Sequence, residues 1–316
     1  MSDSPSSKNM DAVVHNAPVM NVGQWNKNLT YWMADGSIVL RVEEYLYKIH
    51  LSTLTALSPN MASILAIPSG KPIGNPTQEG TELYPLHLTG FTKQEMDDFL
   101  FWIYRVGWTP ISDDAQKERI MANLLKVADI WETGVGRQYA IDNLESMYLP
   151  PSRRLELARM FSIFHWVEPA VTEIFSGKLS ALSVEDIGHV DIKVYSILVK
   201  GMERLEIEMR RTANVAPPMI PATQADWLCK NHKDCATTWK RLWWDKVGRQ
   251  LLHPDAPIKS DAILGEVKKL SHKDLHEKCR LDMVQKIEAE IVFVDKRIIA
   301  GVTAAIVEYY TTLGSQ

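Results

Sequence analysis

The stretch from Trp32 to Ala66 constrains this chain most, because it carries the most specific run of strand, turn and helix signals. Ser37 to Glu43 reads as a strand: Ile38, Leu40 and Val42 alternate with Ser37, Val39 and Arg41, and β-branched residues are frequent. Tyr45 to His50 reads as a second strand. Only Glu43 and Glu44 separate the two runs, so the spacing predicts a tight hairpin. Ser52 then caps a short helix with Leu54 and Leu57 on one face. Ser58-Pro59 ends that helix and opens another, proline being favoured in a first helical turn.

In this order the residues resemble the BTB/POZ domain. Its signature places an Asp before the first strand, a hydrophobic-x-His at the end of the second, then a leucine-rich helix and a Ser-Pro. The chain supplies Asp35-Gly36, Ile49-His50, Leu54 to Leu57 and Ser58-Pro59. The resemblance extends through Leu86 to Leu88 as a third strand, Thr92 to Val106 as a helix and Ala115 to Met147 as a helical pair. It implies a homodimer formed across Leu51, Leu54 and Leu57, with Asp35 and His50 at the same interface. The family usually has Arg or Lys after the His, pairing with the Asp in a charged pocket of the dimer; here that position is Leu51.

A length of 316 residues suggests about two domains. The formal charge of -4 gives no general attraction to nucleic acid or to anionic membranes. The start, MSDSPSSKNMD, has neither a basic nor an apolar leader segment, and no run of about eighteen apolar residues follows, so a cytoplasmic or nuclear protein is expected. Three cysteines, Cys229, Cys235 and Cys279, do not make a disulfide framework in a chain this long.

The overall expectation is an α+β chain: a BTB/POZ fold of a short sheet with a helical cluster, an all-helical extension and a helical C-terminal module. Residues 1–20 are polar and predicted to be disordered; 21–149 form the first domain, 150–211 the extension, 212–226 a proline-containing linker and 227–316 the last module. Between Ile67 and Tyr84 a loop with three prolines and three glycines interrupts the first domain. In BTB proteins that recruit cullins, this neighbourhood faces the cullin.

Capping boxes are predicted at Thr92/Glu95 and Ser183/Asp186, the latter leading a helix toward Arg211 with Ile192, Tyr195, Leu198 and Val199 on one side. Asp113 and Asp114 open a helix with an apolar stripe of Ile120, Leu124, Val127, Ala128 and Trp131. Gly134 and Gly136 read as a helix break. A final helix from about Leu281 to Tyr310 carries Val284, Ile287, Ile291, Val294, Ile298, Gly301 and Ala305 as a coiled-coil-like seam, with the small Gly301 and Ala305 allowing close approach.

Cys229, His232 and Cys235 follow a C-x2-H-x2-C spacing, and clustered thiolates and imidazole suit a tetrahedral zinc ion. Cys279 is the obvious fourth ligand; His253, His272 or His276 are alternatives. The competing reading makes the cysteines small buried hydrophobes. Trp239, Trp243 and Trp244 read as core, and the interleaved Lys230, Lys233, Lys240, Arg241, Lys246 and Arg249 as a solvated face, with a nucleic-acid surface the weaker alternative. Cysteine, histidine and paired tryptophans also recur at this position in fungal, basidiomycete-type BTB proteins.

The sequence has no nucleophile elbow, phosphate-binding glycine loop, kinase motif or H-E-x-x-H, so no catalytic residue is expected. The resemblance instead implies a protein-interaction adaptor, a homodimer that brings an unidentified target to a cullin-based ubiquitin ligase. A BTB-containing transcriptional regulator and a purely structural oligomerisation scaffold are the alternatives.

Overall fold

The computed structural model describes residues 25–58, 79–105, 111, 113–177, 179–219, 229, 231–254, 257–258, 260–290 and 294–314. The predicted disordered start, the second short helix after Pro59, most of the Pro/Gly-rich loop and all of 220–228 lie outside them. The chain divides into two compact units, residues 1–147 and 148–316.

The first unit is built on a four-stranded mixed sheet of β1 (Asn26–Trp32), β2 (Ile38–Val42), β3 (Tyr45–Ile49) and β4 (Leu86–His87), in the order β1-β3-β2-β4. The hairpin forms as the sequence predicts: Val42 pairs with Tyr45 and Ile38 with Ile49. Glu43 turns the corner with φ of 53°, a left-handed conformation that costs a non-glycine residue about 1–2 kcal/mol. Its carboxylate accepts the Lys93 N–H at 3.0 Å, tying the hairpin to the start of the helix Lys93–Arg105. The expected alternation on β2 is incomplete, because Val39 is buried along with Ile38, Leu40 and Val42. Strand β2 lies between β3 and β4, so its backbone is paired along both edges, and the burial of Val39 as well as Leu40 means that both faces of the sheet are covered at this strand.

Helices α1 (Leu51–Leu57), α2 (Lys93–Arg105), α3 (Asp114–Ile130) and α4 (Gly134–Glu145) complete the unit. The Thr92/Glu95 box caps α2 in both directions, and Asp113 caps α3 by accepting the Gln116 N–H. The whole predicted stripe of α3 is buried. The predicted glycine break is not where the helix stops. The turn is made by Glu132, at φ of 51°, and by Thr133; Gly134 already begins α4. Gly136 lies inside the helix, where a Cβ would come within 3.2 Å of the Trp102 ring.

The second unit is helical: α5 (Pro151–Met160), α6 (Val167–Ser176), α7 (Val184–His189), α8 (Ile192–Asn214), α9 (His232–Trp243), α10 (Ser260–Lys268), α11 (Glu277–Glu290) and α12 (Val294–Gly314). A π turn, Trp244–Gly248, prolongs α9 into Arg249–Leu251. The Ser183/Asp186 capping box forms, but the helix predicted to follow it is two helices, because Asp191 caps α8 afresh by accepting the Lys193 N–H. The face of α8 also differs from expectation. Ile192 and Val199 are exposed, while Val194, Leu198 and Gly201 face inward.

Of the predicted last helix, α11 runs to Glu290 and α12 starts at Val294, and Ile291 lies outside the described residues. Along α12 the buried line is Ile298, Val302, Ile306 and Tyr310, and it packs on α6 and α8. Close approach occurs not at Gly301, whose Cβ would meet nothing within 4 Å, but at Gly201, whose Cβ would lie 2.5 Å from Val302 Cγ2 and 2.8 Å from Phe175 Cζ. Gly201→Val is therefore expected to destabilise this unit by about 1–3 kcal/mol through overpacking. Gly301→Ala is expected to stabilise it by about 0.5–1 kcal/mol through helix propensity. Urea denaturation midpoints of the two variants check the contrast.

Candidate metal centre

A second core within the same unit gathers Trp239, Trp243, Val247, Ile263, Val267, Met283 and Ile287 around α9 to α11, with Ala213 at the end of α8. Trp239 and Trp243 are fully buried, and each satisfies its indole N–H on backbone that precedes the helix. Trp239 Nε1 donates to the Pro217 carbonyl at 3.2 Å and Trp243 Nε1 to the Thr212 carbonyl at 3.0 Å. Lys286 Nζ reaches the Pro218 carbonyl at 3.1 Å. The described part of the Pro-containing stretch is thus clasped onto the tryptophan core. Trp244 points outward and is 39% exposed, as are Lys233, Lys240, Arg241, Lys246 and Arg249; Lys230 lies outside the described residues. Arg249 pairs with Asp245, and Arg241 reaches His272.

This packing brings the first turns of α9 and α11 together. Cys235 lies in the first turn of α9 and Cys279 in that of α11, both buried, and Cys229 precedes α9 half-buried. Both helices therefore direct the positive ends of their dipoles toward the sulfurs, which favours thiolate. Cys229 Sγ lies 3.6 Å from Cys235 Sγ. His232 Nδ1 lies 4.0 Å from Cys229 Sγ and 3.6 Å from Cys279 Sγ. The His276 N–H donates to Cys235 Sγ at 3.4 Å. A ring nitrogen of His276 lies within 4.8 Å of both Cys229 Sγ and Cys279 Sγ, close enough for the three residues to hold a metal ion.

A tetrahedral ion bound at about 2.3 Å to sulfur and about 2.0–2.1 Å to imidazole nitrogen sets its sulfurs about 3.8 Å apart and sulfur from nitrogen about 3.5 Å. The observed separations are close to those edges. Among neutral groups the same cluster is poorly matched. Burial, reinforced by the adjacent sulfurs, pushes the Cys279 thiol up to about 12, and burial likewise raises Cys235. Cys229 is also pushed up by burial, but hydrogen bonding to His232 and the other two sulfurs outweighs this and lowers it. His276 Nδ1 is buried without a hydrogen-bond partner, an arrangement that costs about 1–3 kcal/mol. A bound cation would stabilise all three sulfurs as thiolates at once.

The sequence-predicted ligands Cys229, His232, Cys235 and Cys279 thus lie in one cluster, joined by His276. Of the other candidates, His272 is used locally: its Nδ1 accepts the Asp274 N–H at 3.2 Å and its Nε2 faces Arg241 at 3.1 Å. His253 is exposed at the opposite end of the α9 run. Position 276 carries no spacing signal with Cys229 and Cys235; only its place three residues before Cys279, at the start of α11, hints at a role.

In the first unit, His50 Nε2 lies 3.2 Å from Asp35 Oδ1, and His50 Nδ1 lies 3.1 Å from the Tyr104 hydroxyl. Asp35 and His50 are therefore partners within the chain, and the interaction with His50 holds the Asp35 carboxyl below its ordinary range. Leu51 and Leu57 are half-buried, whereas Leu54, also expected at the interface, is 2% exposed in the unit's own core. A shallow groove of about 530 Å³ runs beside α1, lined by Ser52, Thr53, Ala56, Leu57, Trp102 and Ile103.

The chain matches no protein-family model and no curated protein. Among the described residues, no helix is long and apolar enough to cross a membrane.

Proposed function

We propose that this chain is a non-catalytic protein-interaction adaptor: a BTB/POZ-like first unit that pairs with a second copy, and a helical second unit held by a structural zinc ion. The observation that carries the zinc assignment is the meeting, at two helix starts, of Cys229 Sγ with Cys235 Sγ at 3.6 Å and of His232 Nδ1 with Cys229 and Cys279 Sγ at 4.0 and 3.6 Å, with His276 beside Cys229 and Cys279. Three thiolates and one imidazole fill a tetrahedral shell and leave no open position for water or substrate, which is the arrangement of a structural ion. The residues would contribute only charge and fixed geometry.

For the first unit, support comes from the hairpin followed by α1, and from the half-buried Leu51 and Leu57 beside an apolar groove. In this reading the paired chains bring a target protein to a cullin-based ubiquitin ligase. Light scattering should give a dimer, and Leu51→Asp with Leu57→Asp should weaken pairing by at least about 2 kcal/mol, roughly 30-fold in dissociation constant. Calorimetric titration with a cullin N-terminal region should then show one cullin per subunit. A dimer without cullin binding would leave an oligomerisation scaffold, and a monomeric wild-type chain would defeat the pairing.

A further inference from the structure

The metal centre has one donor too many. A tetrahedral ion takes four ligands, and here three sulfurs are accompanied by two imidazoles. Both imidazoles address the same pair of sulfurs. His232 Nδ1 lies 4.0 Å from Cys229 Sγ and 3.6 Å from Cys279 Sγ, and a ring nitrogen of His276 lies within 4.8 Å of those two. They approach from different elements, His232 as the first residue of α9 and His276 from the residue before α11. The His276 backbone is fixed to the cluster independently of its ring, through its N–H to Cys235 Sγ and its carbonyl, which accepts the Arg280 N–H at 3.0 Å. Its backbone therefore stays at the cluster whichever histidine is bound, and its buried Nδ1 has no protein partner.

We infer that His232 and His276 are interchangeable fourth ligands of a single centre whose fixed members are Cys229, Cys235 and Cys279. This rests on the metal-centre reading above. Binding through His232 ties the ion to the start of α9, and binding through His276 ties it to the start of α11. The sulfurs already bridge both helices, so the exchange moves one imidazole without opening the core.

The test uses the full chain, prepared metal-free under reducing conditions and titrated with Co²⁺ and then Zn²⁺. It is run on wild type, His232→Asn, His276→Asn and the double variant. Each single variant is expected to keep the sulfur-to-cobalt charge-transfer band and tetrahedral ligand-field bands with affinity weakened no more than about 10-fold. The double variant is expected to lose more than about 1,000-fold, beyond the at most about 100-fold that two additive losses would give. X-ray absorption of the zinc forms should find three sulfurs and one nitrogen in wild type and in both single variants. That comparison stands even if the double variant does not fold. Loss of the nitrogen, or of more than about 100-fold in affinity, in only one single variant would make that histidine the fixed ligand and overturn the exchange. Three sulfurs with two nitrogens in wild type would overturn it too. Absence of any Co²⁺ or Zn²⁺ uptake by wild type would instead remove the metal centre itself.

Discussion

Removing the proposed zinc ion is expected to unfold the tryptophan core. Apparent binding energies of structural zinc sites are about 10–16 kcal/mol, against a whole-domain stability of about 5–15 kcal/mol, so loss of the ion outweighs what the remaining packing supplies. The sulfurs join a segment before α9, the start of α9 and the start of α11, and without the ion three thiols and a partnerless imidazole nitrogen meet at that junction. Incubation with excess chelator should release about one equivalent of zinc, with a parallel loss of far-UV helical signal and a shift in tryptophan emission. Cys279→Ser should reproduce the effect without chelator. Hydrogen exchange localises it: α9 to α11 should lose protection, while β2 and β3, in a unit that contains no cysteine, keep theirs. Unchanged protection of α9 and α11 in the metal-free chain would refute a structural role for the ion.

The second large effect is expected from Trp239→Ala. Trp239 is 0% exposed, and its indole N–H is satisfied by the Pro217 carbonyl. Truncation removes one of the two largest buried side chains of this core and leaves a cavity, a change that typically costs about 3–5 kcal/mol. It also releases the Pro217 carbonyl that anchors the chain after α8. Trp239→Phe retains most of the apolar volume and loses the hydrogen bond, so a smaller loss of about 1–3 kcal/mol is expected. Trp244→Ala, at a position 39% exposed, should cost clearly less than Trp239→Ala. Urea denaturation of the zinc-loaded variants ranks the three. Equal losses at 239 and 244 would contradict the placement of the tryptophans.

The elements most legible in the sequence were those whose signals are local. The Glu43-Glu44 hairpin, the Thr92/Glu95 and Ser183/Asp186 boxes and the Asp113 cap each depend on groups within a few residues of one another, so side-chain type and spacing suffice. The stripe of α3 was equally clear because it is the dominant apolar line on that helix. On α8 the apolar residues crowd several lines. Ile192 and Val199 are as hydrophobic as Val194 and Leu198, and the inward line was set by Phe175 and Val302 packing against Gly201. The same logic chose Gly201 over Gly301 as the point of close approach: a glycine's freedom is written in the sequence, but its neighbour across the interface is not.

For the metal centre, the sequence by itself determined the clustering of Cys229, His232 and Cys235 within seven residues, which fits within one helical turn and its lead-in. It also made Cys279 the obvious fourth ligand, with His253, His272 and His276 as alternatives. Tertiary structure alone decided that α11 returns to place Cys279 against His232, and that His276 comes with it while His272 is spent on its own turn. It also decided that the carbonyls of Thr212, Pro217 and Pro218 bind the core. The physical reason is the range of the interactions. Caps, turns and periodicity act between near neighbours, whereas sulfur–imidazole and indole–carbonyl contacts join segments whose meeting is fixed by burial of the whole tryptophan core.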